Sequence, residues 1–586
     1  MKIKPRHWCH WFGFVTLACL VLSARADEAA NRAKAAKVDK LFETWNKPGS
    51  PGCALGIVRK GKLIVARGYG MANLDDDVPI TTKSVFEVAS MTKSFTCVCL
   101  ALLMDQGKLS PDDDIRKYVP EMPRHDPPIT IRDLVRCEGG LRDYWHLVQL
   151  AGWNLEDAWT DGDVLALVTR QKAPTFRPGS RFAYSSMDYF LLVRAIERVT
   201  GQSLARFADQ KVFRPLGMTS TYYEDDPGRV TKHRAVGYDV MPDGSIRRWV
   251  LNSKVVGAMG LKTTVEDLFK WDQNFYANRL PDGPYVREFL KTGTLLGNRH
   301  VLDVWAYLAK MASAEPADHY RGLKRMAFTG GVPGFVSGFV RFPEQKFSVI
   351  CLSNDGIRIA PWTVALRVAD LYLADRMKEG KKGQTPAPQY KFVDVAESDL
   401  LDKVGPYRMQ RTRMIWTVSV TKGELVLTDR LGTTDRWQAL SPTRFRAREG
   451  PRKGTYTLVF ERRPDKRYNM RLERDEGLKD ELEPILLVKP DTKRLSAYAG
   501  QYYSAELKAT YTFSVRDGTL FLQVNNHRQE PLAPTVADEF RPQLRTPDDG
   551  RILTFVRDGE GRVTGLTAAL WSIKGIAFEK PADKAD

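Results

Sequence analysis

Apolar residues follow three successive spacings along the chain. Trp11 to Leu22 is an almost unbroken apolar run, shorter than the roughly 20 residues of a membrane span. Val38 to Trp45 has helical spacing, and Pro48-Gly49-Ser50-Pro51-Gly52 then breaks the pattern. Cys53 to Val58 and Leu63 to Gly68 flank Lys60-Gly61, which predicts a β-hairpin. Thr81 to Val88 leads to an apolar helix that begins at Ser90 and stops near Gln106-Gly107. Further helices are expected from Asp163 to Gln171, from Tyr189 to Thr200 and after the glycine-rich turn at Gly257 to Gly260. Phe328 to Phe342 and Phe347 to Ser353 read as hairpin strands, and a helical pattern from Tyr285 to Leu290 lies before them.

Past Leu371 to Lys378 the texture changes. Glu379 to Pro388 has the composition of a linker, and beyond it apolar and polar residues alternate with period two. The alternating part repeats itself once: Leu401-Asp402-Lys403-Val404-Gly405-Pro406-Tyr407 is echoed by Leu495 to Tyr502, each followed by short strands and a turn, Lys422-Gly423 or Asp517-Gly518. Two units of roughly ninety residues with this pattern predict two small antiparallel β-barrels, closed so that no strand edge is exposed. The expected organisation is a signal peptide over 1–26, a first domain over 27–378, a linker over 379–394, and barrels over 395–490 and 491–586.

Composition narrows the compartment. The chain has 586 residues, of which 43% are hydrophobic, enough for several cores. Lys2, Lys4 and Arg6, the apolar run and Ala24-Arg25-Ala26 together make an export signal cleaved near Asp27; an uncleaved anchor is the second reading. This predicts a periplasmic or secreted protein with no membrane span after cleavage. Loss of the segment lowers the formal net charge from +18 to +14, which suits either a solvated basic surface or contact with anionic wall polymers. Cys53, Cys97, Cys99, Cys137 and Cys351 remain, an odd and sparse set that is no disulfide scaffold. The eight histidines are scattered, so no metal site and no cofactor is expected, and no nucleic-acid motif occurs.

Chemistry concentrates at Ser90-Met91-Thr92-Lys93. Residues three apart on a helix share a face, so the hydroxyl and the amine can meet. A serine needs an adjacent base to become a nucleophile, and an unprotonated lysine is one; the first helical turn adds free N–H groups for a developing oxyanion. The competing reading is a helix cap followed by a surface lysine. A second such spelling, Ser419 to Lys422, lies in an alternating segment where the two side chains point apart. Tyr184-Ser185-Ser186 sits on a loop between Pro178-Gly179 and a helix, where a tyrosine can act as acid or base or simply pack.

In this order, Ser90 to Lys93, Tyr184 to Ser186 and the Thr329-Gly330-Gly331 strand resemble the motifs of the penicillin-recognising serine hydrolases: class C-type β-lactamases, D-alanyl-D-alanine carboxypeptidases, D-aminopeptidases and related esterases. The resemblance runs from about Val38 to Ala374. It implies an α+β fold, an antiparallel sheet with helices plus a helical subdomain, ahead of the two barrels. It further implies Ser90 as acylated nucleophile, Lys93 as its activating amine and Tyr184 as proton shuttle. Ser186, Thr329, Gly330 and Gly331 would bind substrate, with the Ser90 and Gly331 N–H groups forming an oxyanion hole. Phe328 departs from the family, which usually has Lys or His there, and Arg136-Cys137-Glu138-Gly139-Gly140 replaces a common His-Thr-Ser-Gly. Lys291-Thr292-Gly293 spells the third motif but ends a helical pattern.

The expected function is an exported serine hydrolase cleaving an ester or amide of a small-molecule or peptide-like substrate, peptidoglycan-derived material included, with the missing cation favouring less anionic substrates over β-lactams. The alternative is a non-catalytic wall-peptide or ligand-binding protein that keeps the fold, signalled by Phe328 plugging the cleft. The barrels resemble appendages of some D-aminopeptidase-like members, either covering the cleft mouth and selecting substrates or serving as structural or wall-binding units.

Overall fold

The computed structural model describes residues 32–581, apart from 172, 242–243, 303–317, 357, 379–389, 411–412, 430–431, 451, 454–455, 475–478, 544–549 and 571–572. The expected signal segment lies outside the described residues, as does most of the expected linker.

The first part is built on a five-stranded antiparallel sheet. Its strands are β1 (Cys53–Arg59), β2 (Lys62–Tyr69), β3 (Met326–Val332), β4 (Phe335–Phe342) and β5 (Phe347–Ser353), in the spatial order β3-β4-β5-β1-β2. The β1–β2 hairpin turns on Lys60 and Gly61, both with positive φ (50° and 78°), the turn whose twist matches the strands it joins. β1 pairs with β5, Cys53 opposite Ser353, so the ends of the domain close its middle.

Each face of the sheet is buried by helices. On one lie helix 32–40 and Pro361–Leu373, around Val340, Val349 and Cys351. On the other lies α3 (Val265–Asn274), in a core with Phe339 and Ile350 that α1 (Thr92–Asp105) and α2 (Ser186–Thr200) share. Short helices between α1 and α2, such as Ile131–Val135 and Tyr144–Leu150, form the helical subdomain.

Several boundaries differ from the sequence pattern: α1 begins at Thr92 instead of Ser90, behind a 3₁₀ turn over Ala89–Met91, and the helix expected from Asp163 to Gln171 spans Asp161–Thr169. The first helix covers 32–40, and residues 41–45 form turns instead; the apolar spacing still holds because Phe42 stacks on Tyr69 at 4.2 Å. α2 begins at Ser186, earlier than the expected Tyr189, because Ser185 caps it by accepting from the Asp188 N–H.

The alternating region forms two closed eight-stranded antiparallel barrels, with strands from Gly405 to Pro484 and from Gly500 to Glu579. The repeat persists in detail. Tyr407 donates to the Lys403 carbonyl at 2.9 Å and Tyr502 to the Tyr498 carbonyl at 3.0 Å, each following a positive-φ glycine, Gly405 or Gly500. The second barrel docks on the helical subdomain: Tyr511 donates to the Leu150 carbonyl at 2.7 Å and Asn525 to the Ala151 carbonyl at 3.0 Å. Among the described residues no helix is long and apolar enough to cross a membrane.

Candidate active site

Ser90 sits where a short strand, Phe86–Glu87, turns into α1 through a single 3₁₀ turn, Ala89–Met91. The turn is made possible by Ala89 in the left-handed region, φ 50°. A non-glycine residue there is strained and persists only when its surroundings hold it. Lys93 lies one helical turn on and is fully buried. Its Nζ donates to Ser90 Oγ at 3.3 Å and to the Ala258 carbonyl at 2.9 Å. It also lies over the rings of Tyr184 at 4.9 Å and Tyr189 at 5.5 Å. Among the described residues no carboxylate pairs with it.

Tyr184 comes from the loop before α2. Its hydroxyl donates to Ser90 Oγ at 2.6 Å, so phenol and amine both reach the same oxygen. The loop is tied down by Asp143, whose carboxylate accepts the Ser186 N–H at 3.0 Å and the Trp145 N–H at 2.9 Å. Ser186 lines the cleft beside Ser90, and no hydrogen bond joins its hydroxyl to Lys93.

β3 forms the opposite wall. A Cβ on Gly330 would lie 2.3 Å from the Val88 carbonyl oxygen and 2.6 Å from the Ser90 nitrogen, so only glycine lets the strand come this close. Ser337, opposite Gly330, fastens the same junction by donating to the Val88 carbonyl at 2.7 Å. Gly331 lines the cleft with open space where a side chain would be.

Thr329 does not line the cleft. It is 1% exposed, its hydroxyl has no hydrogen-bond partner among the described residues, and its strand partner Gly338 faces Pro361 and Trp362 of the outer helix. Phe328 is also buried, packed against Phe275, Phe289 and Phe339 in the core, and leaves the cleft unplugged. Lys291 and Thr292 end the helix Pro284–Thr292, with Gly293 as its left-handed cap.

The cleft has a volume of about 1520 Å³. Trp145, Trp153, Trp249 and Trp362 give it aromatic walls, and the second barrel contributes Val524, His527 and Arg528. Arg528, on the turn after the strand Thr519–Val524, is exposed and carries no ion pair among the described residues. Burial pushes the nearby Cys97 thiol up to about 11, against the pull of hydrogen bonds from Tyr189 and Asn298 and of the Lys93 charge. No cluster of metal-ligating side chains occurs among the described residues.

Three residues that hold the site had no motif to announce them. Glu87 accepts the Ala89 and Gly260 N–H groups, each at 2.9 Å, and pairs with Lys262, also at 2.9 Å. Lys262 pairs in turn with Glu224 at 3.0 Å. The only trace of this in the sequence is an acid inside the apolar run Phe86-Glu87-Val88.

A serine bonded to both a helix-borne lysine and a loop tyrosine, beside the edge strand of an antiparallel sheet, defines a serine hydrolase of the β-lactamase and penicillin-binding type. The family profile described as Beta-lactamase matches residues 37–374, and the chain belongs to that family. Residues 487–580, in the second barrel, match a domain of unknown function, DUF3471.

Relatives and folds agree with this. A D-aminopeptidase of Cereibacter sphaeroides is 25% identical over 549 residues, covering 90% of this chain and 96% of its own. One of Gluconobacter oxydans is 28% identical over 242 residues, 41% of this chain and 45% of that protein. The octameric penicillin-binding protein homologue from Pyrococcus abyssi has a similar fold, with a TM-score of 0.51 and 20% identity over 77% of this chain and all of its own.

Proposed function

We propose that the protein is an exported serine hydrolase that cleaves an ester or amide bond through an acyl-enzyme on Ser90. The observation that carries this reading is the convergence of Lys93 Nζ and Tyr184 OH on Ser90 Oγ, at 3.3 and 2.6 Å. Ser90 Oγ attacks the scissile carbonyl carbon, and its proton passes into the Lys93–Tyr184 pair. Tyr184 returns a proton to the leaving nitrogen or oxygen as the bond to it breaks. Water then attacks the acyl carbon, gives its proton to Tyr184, and Ser90 leaves reprotonated. The Ser90 and Gly331 N–H groups stabilise the oxyanion in both halves. Ser186 and Gly331 contact substrate, Gly330 permits the close approach, and the burial of Thr329 confines it to packing.

The substrate is a small or peptide-like amide or ester. Support for an amide comes from relatives that are D-aminopeptidases. The aromatic walls favour an apolar group, and Phe328 in the core supplies no cation for a β-lactam carboxylate. The apolar run and cleavage motif within 1–26 support export to the periplasm or beyond, which makes peptidoglycan-derived peptides candidate substrates. In the same reading the hydrolase ends near 378, the linker spans 379–394, and the second barrel walls one side of the cleft as a substrate selector.

The test is covalent. A fluorophosphonate should label Ser90, located by peptide mass spectrometry, and a short-chain nitrophenyl ester and a D-amino-acid amide should be turned over by wild type and not by Ser90→Ala. Turnover that survives Ser90→Ala would remove the acyl-enzyme.

A further inference from the structure

We propose that Glu87 is the positioning residue that holds Ser90 and Lys93 at bonding distance, an inference that rests on reading Ser90 as the nucleophile. Glu87 is 3% exposed and lies three residues before Ser90, outside the cleft lining. One of its oxygens, Oε1, accepts both the Ala89 N–H and the Gly260 N–H, each at 2.9 Å. Its other oxygen, Oε2, faces the Lys262 ammonium at 2.9 Å.

The two amides belong to different segments, and each segment sets one half of the Ser90–Lys93 geometry. Ala89, in its left-handed conformation, aims the Ser90 hydroxyl out of the first turn. Gly260, also with positive φ at 91°, closes the loop whose Ala258 carbonyl takes Lys93 Nζ at 2.9 Å. The same loop is stitched to α1 by Thr96, which donates to the Gly257 carbonyl at 2.9 Å. A single carboxylate oxygen therefore locks the turn that carries the hydroxyl to the loop that holds the amine. Withdraw it, and a buried N–H beside a strained residue loses its partner, so the backbone relaxes and Ser90 turns from Lys93. Lys262, held by Glu224 at 3.0 Å, steadies Glu87 from behind.

Two variants separate reach from charge. Glu87→Asp keeps the charge for Lys262 but draws the oxygen back from both N–H groups. Glu87→Gln combined with Lys262→Met keeps the reach and removes the charge. Both are checked by circular dichroism and thermal melts. Then kcat and KM are measured on a short-chain nitrophenyl ester, together with the rate of Ser90 labelling by a fluorophosphonate. Glu87→Asp should lower kcat and labelling by ~100-fold with KM within about twofold, since a misplacement of about 1 Å costs that much. The double variant should stay within about tenfold of wild type. A folded Glu87→Asp with wild-type kcat, or a folded double variant that falls as far as Glu87→Asp, overturns the proposal. Absence of label on Ser90 in wild type would instead sink the nucleophile itself.

Discussion

Ser90 Oγ receives two hydrogen bonds, and the two donors play unequal parts. Lys93 is a fixed neighbour on the helix that the Ser90 turn leads into, whereas Tyr184 arrives from 94 residues away and makes the shorter bond. Tyr184→Phe should therefore fold normally and lose kcat by ~10²–10⁴-fold, the usual worth of a positioned proton donor, when steady-state kinetics on an amide are compared with wild type. Asp188 gives a residue-scale prediction of another kind. Burial pushes its carboxyl well above the usual carboxylate range, and one of its oxygens has no partner among the described residues. A folded-state pKa above the unfolded one means that its contribution to stability is complete below about pH 4 and is lost as pH rises toward the folded value. Asp188→Asn should melt with wild type near pH 4 and increasingly above it toward pH 8, by on the order of a few °C in a calorimetric scan.

Elements rather than residues decide how β3 meets Ser90. Adjacent strand residues point to opposite faces, so Thr329 and Gly330 cannot both turn side chains to one ligand. The motif spelling hides this, and the register reveals it: Gly330 shares the Ser90 face with Ser337, and Thr329 shares the outer face with Gly338. Gly330→Ala should push the strand from the Ser90 turn and reduce the rate of Ser90 labelling by ~100-fold. The same fluorophosphonate assay reads it, and a wild-type labelling rate would show that the contact gives way without moving Ser90. The hairpin and α1 were legible because turn residues and unbroken apolar spacing are local signals. The early start of α2 was less visible, since a serine cap needs only one hydroxyl and the loop before it is rich in them.

At the scale of the molecule, the second barrel makes the cleft a joint construction. Gly152, with φ 78°, leaves room for Val524: a Cβ there would lie 2.4 Å from its side chain. This close seating brings His527 and Arg528 to the cleft. Arg528→Ala should lower kcat/KM by about tenfold for an ester or amide whose leaving group carries a carboxylate, and leave a neutral nitrophenyl ester unchanged, in parallel assays. Equal effects on both substrates would mean that the turn shapes the cleft without reading charge.

Residue order alone determined the antiparallel hairpins, the two repeated barrels and the meeting of Ser90 with Lys93, because period two, period 3.6 and a spacing of three are properties of neighbouring residues. Tyr184 was found by the order of its motif. Only the tertiary structure decided that Glu87 joins Ala89 to Gly260, that Phe328 fills the core, and that Tyr511 reaches Leu150 across 361 positions. The Glu87 and Tyr511 contacts end on backbone amides and carbonyls, which nearly every residue type offers alike, and the place of Phe328 depends on Phe275, Phe289 and Phe339 brought together by the fold, so residue identity along the chain cannot announce them.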